Sequence, residues 1–170
     1  MQVIKPPNSI IKKEGMTIFL AGSIENGVAE NWQAKAEKII YIHDNNKKQE
    51  VIVYNPRRED WDPTWKQDSP QMKNQVRWEL NALSKCDYIL MYFDPSTKSP
   101  ISLLEFGLYA KSHKMVVVCP EGFYRKTNVD VVCNIYHIKQ FLNIEDAVLY
   151  LFDQRRLGKG AFTIETSKNN

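Results

Sequence analysis

Short apolar runs alternate along the chain with longer segments in which apolar residues recur every three or four positions. The short runs are typical of buried strands, whereas the longer segments have the period of amphipathic helices. The predicted strands are Met16–Gly22, Glu50–Pro56, Asp87–Asp94 and Met115–Pro120. The predicted helices are Ala29–His43, Gln71–Cys86, Pro100–His113 and Ile144–Arg156. A short apolar stretch at residues 129–138 precedes the last of these helices.

This alternation of strands and helices predicts βαβ units, in which right-handed crossovers join parallel strands. We therefore expect an α/β, flavodoxin-like doubly wound sheet of about five mainly parallel strands, with helices on both faces. A single catalytic domain is predicted at residues 16–156, between an N-terminal lead-in at 1–15 and a C-terminal tail at 157–170. Sheets of this kind bind ligands at the carboxyl ends of their strands, so the loops that follow the predicted strands are the candidate sites.

Composition and charge exclude several classes of function. Hydrophobic residues make up 43% of the chain, charged residues make up 25%, and the net charge is +3, an ordinary balance for a soluble globular protein. Basic residues occur in scattered pairs, whereas a nucleic-acid-binding groove usually has a denser basic stripe. The longest apolar run is too short to span a membrane, and the N-terminus lacks the apolar core of a signal peptide. We expect a cytoplasmic protein that binds neither nucleic acid nor a membrane.

The cysteines also point to a reducing compartment. Cys86, Cys119 and Cys133 form neither a C-x-x-C pair nor a cluster with histidine. An odd number of cysteines with this spacing argues against a disulfide framework and against a zinc site. We predict buried structural thiols and no metal site.

One acid stands in an otherwise apolar helical segment, "TKSPISLLEFGLYAKSHK". Helical spacing places Glu105 on the same face as Ile101 and Leu108, and an unpaired carboxylate buried there would cost several kcal/mol. Ser99 and Pro100 are typical of the N-cap and the first helical position. Glu105 is therefore either a nucleophile or a structural glutamate that is hydrogen-bonded or paired with a basic side chain.

A second acid, Glu79, shares a helical face with Gln75, Trp78 and Ala82. Two carboxylates from adjacent βα units are the minimum needed to cleave a glycosidic bond, one as nucleophile and one as proton donor. Glu79 could instead form a solvated salt bridge with Arg77 or Lys85.

Three further loops contain candidate ligand-binding residues, and their sequences are "LAGSIENG", "NPRREDWDPTW" and "CPEGFYRKTN". The turn "LAGSIENG" offers backbone N–H groups and the hydroxyl of Ser23, although it lacks the spacing of a dinucleotide fingerprint or a P-loop. The loop "NPRREDWDPTW" contains tryptophans that could stack on a nucleobase or could pack as a lid. The candidate substrate-binding residues are Phe19, Gly22, Ser23, Ile24, Asp60, Trp61, Trp65, Ser99, Phe123, Arg125 and Asn128.

The sequence resembles the nucleoside 2-deoxyribosyltransferase family, in its 2-deoxyribosyltransferase-like branch, over residues 16–152. The segments that carry the resemblance are "FLAGSIENG" and "WELNALSKCDYILMYFDPSTKSPISLLEFGLYA". The most specific piece is the ending E-[FLI]-G, which is Glu105-Phe106-Gly107 here.

The resemblance implies roles for particular residues. Glu105 is similar to the family's catalytic glutamate, which forms a covalent 2-deoxyribosyl intermediate. Glu79 falls where the family usually has an aspartate near the nucleobase. Ser99 falls at an aspartate position of the transferases, which is a phosphate-binding serine in the related 2′-deoxynucleoside 5′-phosphate N-hydrolases. Those hydrolases also have a G-S-I turn, followed by an arginine where this chain has Glu25. Asn128 lies near a position from which a neighbouring subunit completes the transferase site.

The leading hypothesis is therefore a nucleoside 2-deoxyribosyltransferase of nucleotide salvage, which needs no metal or organic cofactor. Its partners would be a nucleoside or nucleotide, a free nucleobase and further copies of the chain in a homo-oligomer. The first alternative is a 2′-deoxynucleoside 5′-monophosphate N-hydrolase, with Ser23, Ser99 and Arg125 holding the phosphate. The second alternative is a non-catalytic module that binds or senses a nucleotide.

Overall fold

Six parallel strands form one sheet in the order β1-β3-β2-β4-β5-β6. The strands are β1 (Gln2–Ile4), β2 (Thr17–Gly22), β3 (Ile52–Tyr54), β4 (Tyr88–Tyr92), β5 (Met115–Val118) and β6 (Lys139–Phe141). These bounds come from a computed structural model that describes residues 1–10, 15–44 and 50–157. From β2 onward, the strand order is that of a flavodoxin-like sheet. The predicted α/β doubly wound fold is confirmed.

Helices cover both faces of this sheet. They are α1 (Trp32–His43), α2 (Pro70–Lys85), α3 (Pro100–Tyr109), α4 (Lys126–Ile135) and α5 (Ile144–Arg156). Alternate residues of β2 face opposite sides: Phe19 packs in the core beneath α2, α3 and α4, whereas Leu20 packs beneath α1 and α5. Short 3-10 helices at Glu25–Gly27 and Ala110–Ser112 complete the described elements.

Local capping signals explain where several helices begin. The side chains of Asn31, Ser69 and Asn143 accept hydrogen bonds from backbone N–H groups in the first turns of α1, α2 and α5. Such caps satisfy N–H groups that have no partner within the helix. Pro70 occupies the first position of α2, where its missing N–H costs nothing.

Three elements, two edge strands and one helix, were not assigned from the sequence. The lead-in contains β1, which pairs with β3 at the edge of the sheet and buries Ile4. The apolar stretch at 129–138 forms most of α4, whose buried residues Val129 and Cys133 are one turn apart, and the edge strand β6 follows it. Of the predicted tail, residues 158–170 lie outside the described part of the chain. The three cysteine thiols are free and buried, as predicted.

Candidate active site

The strand order reverses between β2 and β4, and the candidate site begins there. Gly22 pairs with Tyr92 and has a φ of +138°. A Cβ atom on Gly22 would lie 2.1 Å from the carbonyl oxygen of Tyr92, so only glycine allows this approach of the two strands. The next residue, Ser23, donates its backbone N–H to the same carbonyl over 2.9 Å. The turn thus fixes Ser23 at the carboxyl edge of the sheet.

A cluster of buried hydroxyl groups surrounds Ser23. Its Oγ is hydrogen-bonded to Ser99 and accepts the backbone N–H of Asp94 over 2.9 Å. Thr97 Oγ1 lies 2.7 Å from Ser99 Oγ and 3.1 Å from Ser23 Oγ. The structure therefore brings together the two serines that the sequence singled out, and adds Thr97, which it did not. The three hydroxyls are each other's partners.

The start of α3 differs from the expected serine cap. Ser99 is at the N-cap position, but its φ is +46° and its side chain caps no backbone group. Its hydroxyl points instead into the cluster described above. The backbone N–H groups of Lys98 and Ser99 donate to Glu25 Oε2 over 2.8 and 3.1 Å. Pro100 occupies the first helical position, as predicted.

The inward face of α3 carries Glu105. This face consists of Ser102, Glu105 and Phe106, and Glu105 is 8% exposed. The expectation that Glu105 shares its face with Ile101 and Leu108 is wrong, because both are about 60% exposed on the outside of the helix. Apolar residues occur all round this short helix, so their periodicity did not identify the inward face.

The electrostatic setting of Glu105 is unusual for a structural acid. Among the described residues, no hydrogen bond or ion pair to its carboxylate is found. Burial, aided by the negative charge of Glu79, raises the pKa of Glu105 from 4.5 to about 8. The structural alternative, a glutamate paired with a basic side chain, is therefore not observed in the described part of the chain.

Glu79 is half-buried on α2 and is held by Gln75. The Nε2 group of Gln75 donates to Glu79 Oε1 over 2.8 Å and to the carbonyl oxygen of Pro56 over 3.0 Å. Burial raises the pKa of Glu79, and the Gln75 hydrogen bond partly opposes this rise. No ion pair with Arg77 or Lys85 is found among the described residues.

The tryptophan loop that follows β3 is linked to Glu79 through Gln75. Arg58 donates to both carboxylate oxygens of Asp60 over 2.8 and 2.6 Å, and its guanidinium lies 5.1 Å from the ring of Trp65. It also donates to Gln75 Oε1 over 3.5 Å.

The rings of Trp61 and Trp65 are 5.3 Å apart, and the buried Nε1 of Trp61 has no partner in the described residues. The sequence placed Gln75 on the same helical face as Glu79 but did not identify it as a site residue.

The remaining candidates differ in their burial. Phe19 and Phe123 are core residues that pack against Trp78 and Phe93, with ring centroids 6.3 and 4.9 Å apart. Ile24 is half-buried next to the glycine turn. The side chains of Arg125 and Asn128 are exposed near the start of α4, and Arg125 lies over the ring of Tyr124. No hydrogen bond or ion pair joins any of these side chains to either acid in the described residues.

Residues 1–10, 15–44 and 50–157 contain neither a grouping of metal-binding side chains nor a membrane-spanning helix. Within these ranges, no three or more His, Cys, Asp or Glu side chains are grouped so that they could hold a metal ion. Likewise, none of the helices in these ranges has the length and apolar character needed to cross a membrane.

Comparisons with known proteins agree with this architecture. A family model described as nucleoside 2-deoxyribosyltransferase like matches residues 15–123, which include the glycine turn, the tryptophan loop and both acids. The chain is also similar in fold to the crystal structure of a conserved protein from Enterococcus faecalis V583, with a TM-score of 0.57 and 13% identity. That similarity covers 82% of this chain and 99% of the other. No match was found among curated protein sequences.

Proposed function

Because this chain belongs to the nucleoside 2-deoxyribosyltransferase-like family, we propose that it is an enzyme that cleaves the N-glycosidic bond of a 2′-deoxynucleoside and transfers the deoxyribosyl group to a second nucleobase. The observation that carries the proposal is the buried carboxylate of Glu105, which has no hydrogen bond to a described residue and lies near a second acid. A poorly hydrated carboxylate of this kind is a good nucleophile towards an anomeric carbon.

Glu79 is the proton donor in this proposal. Burial raises its pKa, whereas the two hydrogen bonds from Arg58 lower the pKa of the loop acid Asp60. Burial raises the pKa of both acids, so the pair retains one proton, and in the reactive arrangement that proton lies on Glu79 while Glu105 is ionised. Gln75 occupies Oε1 of Glu79 and so leaves Oε2 for the transferred proton.

The reaction proceeds in two displacements. Glu105 forms a bond to C1′ as the C1′–N bond breaks, and the proton of Glu79 passes to the departing base. A nitrogen of the second base then attacks C1′, the electrons of the ester bond return to Glu105, and the N–H proton of that base returns to Glu79. Trp61 and Trp65 would stack on the bases and limit the access of water, which favours transfer over hydrolysis.

We include homo-oligomerisation in the proposal. The outer face of α3 exposes Ile101, Leu104 and Leu108, and the adjacent α2 exposes Val76 and Leu80. Apolar side chains exposed on neighbouring helices often mark protein interfaces. A second copy that covers this surface would lie on the same helix that carries Glu105.

A transfer assay tests the proposal. Incubation with 2′-deoxyadenosine and cytosine should yield 2′-deoxycytidine and adenine in equal amounts, as measured by chromatography. Release of adenine without 2′-deoxycytidine would identify water as the acceptor and a hydrolase as the enzyme. Binding of 2′-deoxyadenosine without any product would support the non-catalytic module instead.

The pH dependence of kcat/KM tests the roles of the two acids. We expect a bell-shaped profile whose alkaline limb lies near pH 8, because the acid pair loses its last proton there. Glu79→Gln removes the proton donor and the charge that raises the Glu105 pKa, so the remaining activity should lose its alkaline limb. A 2′-deoxynucleoside with a cationic base, such as N7-methyl-2′-deoxyguanosine, leaves without protonation and should still be cleaved by this variant. An alkaline limb that persists in Glu79→Gln would contradict the assignment.

A further inference from the structure

The buried side chain of Gln75 joins α2 to the carboxyl end of β3. It is 5% exposed, and its Nε2 group donates to the carbonyl oxygen of Pro56 over 3.0 Å and to Glu79 Oε1 over 2.8 Å. Its Oε1 atom accepts a hydrogen bond from Arg58 over 3.5 Å. Gln75 and Glu79 are four residues apart, which makes them neighbours on one face of the helix. Both polar atoms of this buried amide therefore have partners.

The three partners of Gln75 allow one orientation of its amide. A carbonyl oxygen such as that of Pro56 can only accept a hydrogen bond, and a guanidinium such as that of Arg58 can only donate one. The NH₂ group therefore faces Pro56 and Glu79, and the amide oxygen faces Arg58. Because the amide cannot turn end for end without breaking these bonds, Gln75 is a fixed donor to Oε1 of Glu79.

The backbone that holds the amide is itself held by the sheet. Asn55 donates its backbone N–H to the carbonyl oxygen of Ile4 in β1 over 3.0 Å, and its Oδ1 atom accepts the N–H of Arg57 over 2.9 Å. Pro56 lies between these two residues and is buried. Gln75 is therefore tied to the carboxyl edge of the sheet, and so is the oxygen of Glu79 that it contacts.

The cation of this network is kept away from Glu79. Arg58 has a side chain that is 10% exposed and is paired with both carboxylate oxygens of Asp60. Its guanidinium also lies over the ring of Trp65, and no ion pair joins it to Glu79 in the described part of the chain. A direct ion pair would favour the ionised form of Glu79. The neutral amide of Gln75 instead orients the carboxyl group and still allows it to hold a proton.

We infer that Gln75 is a positioning residue for proton transfer, which holds Oε1 of Glu79 as an acceptor and presents the protonated Oε2 to the departing base. The inference rests on the proposed function and adds to it the group that orients the proton donor. As the C1′–N bond breaks, the proton on Oε2 passes to a nitrogen of the base and Glu79 becomes a carboxylate. The hydrogen bond from Gln75 strengthens as this charge develops, which favours the transition state over the ground state.

Gln75→Met tests the inference, because methionine has about the length of glutamine but donates no hydrogen bond. For 2′-deoxyadenosine, whose base must be protonated, kcat/KM should fall by about 10- to 100-fold, part of the contribution of general acid catalysis. For N7-methyl-2′-deoxyguanosine, whose cationic base leaves without protonation, it should change by less than about 3-fold. An equal loss for both substrates would indicate a merely structural role and would overturn the inference.

A second variant covers the case in which Gln75→Met does not fold. Gln75→Asn retains an amide, but its shorter side chain withdraws that amide by about 1.5 Å, so it cannot contact Pro56 and Glu79 together. The same selective loss is expected for 2′-deoxyadenosine. Gln71→Met is the matched control, since it makes the same substitution at an exposed position one turn earlier on α2. It should leave both kcat/KM values within about 2-fold.

A titration without substrate separates this inference from the proposed function. Glu105 on α3 is the titratable group that faces Glu79, so the measurement is made in Glu105→Gln. The hydrogen bond from Gln75 opposes the rise in the Glu79 pKa, so the carboxyl ¹³C signal of Glu79 should titrate at higher pH when Gln75→Met is added. If the wild-type protein neither transfers nor releases a base, the proposed function fails, and this titration still decides whether Gln75 holds Glu79. An unchanged titration would overturn the inference whatever the activity.

Discussion

Replacement of Glu105 by glutamine is expected to lower the rate of deoxyribosyl transfer by about 10³- to 10⁵-fold, because an amide does not form the glycosyl ester. The loss should appear in kcat, whereas nucleoside binding should change little, since glutamine has nearly the same shape as glutamate. Wild-type protein incubated with a 2′-deoxy-2′-fluoro nucleoside should accumulate a covalent adduct, visible by intact mass, and Glu105→Gln should not.

The same substitution should make the protein more stable. The pKa of Glu105 is raised to about 8 in the folded protein from the ordinary value of 4.5, so folding favours the protonated form. The stability that this group contributes is present below pH 4.5 and is lost as the pH rises through about 8. Glutamine avoids this loss because it does not ionise. We expect a gain of about 2–4 kcal/mol above pH 8, seen as a rise in Tm of about 4–12 °C.

Glu121→Gln is the matched control for both effects. Its carboxylate is largely exposed and pairs with Lys126 at 3.7 Å, so its removal should change stability by less than about 0.5 kcal/mol. Normal transfer activity in Glu105→Gln would rule out Glu105 as the nucleophile. A stability gain that is equal at pH 4 and pH 9 would rule out the buried charge as its cause.

The sequence predicted the central elements of the fold and missed its edges. The strands β2, β4 and β5 are continuous apolar runs buried on both faces of the sheet, which makes them easy to recognise. The edge strands β1 and β6 have three residues each, and β6 has the partly exposed sequence Lys-Gln-Phe. Three residues give no hydrophobic period, and neither edge strand lies in a buried apolar run like the one around the equally short β3.

The sequence named several candidate residues but none of the contacts between them. Glu105 and Glu79 were singled out as acids on two successive predicted helices, and Ser23 and Ser99 as polar residues at a glycine turn and a helix start. Their contacts join residues far apart in the chain: Glu25, for example, is bonded to the backbone of Ser99. Such contacts depend on how the βα loops meet at the sheet edge, which helical and strand periods do not encode. Gln75 is the partial exception, since its helical spacing placed it beside Glu79.

Gly22, at the turn that begins the site, tolerates no side chain. Gly22→Ala should therefore destabilise the protein more than any other added methyl group in this turn. A Cβ atom would lie 2.1 Å from the carbonyl oxygen and 2.7 Å from the nitrogen of Tyr92, and the φ of +138° is itself unfavourable for alanine. Relief of this clash requires β2 and β4 to separate at their carboxyl ends. We expect a loss of at least about 3 kcal/mol and a fall in Tm of at least about 6 °C, measured by thermal unfolding.

Gly107→Ala provides the matched comparison within the same molecule. Its Cβ atom would meet nothing within 4 Å, and alanine is favoured over glycine inside a helix such as α3, so its stability should rise by up to about 1 kcal/mol. A loss of stability in Gly22→Ala together with a gain in Gly107→Ala would distinguish a steric requirement of the β2 turn from a general effect of added methyl groups. A Gly22→Ala protein with unchanged stability would mean that the two strands do not approach as closely as described. The hydroxyl cluster of Ser23, Thr97 and Ser99, which depends on that approach, would then not form as described.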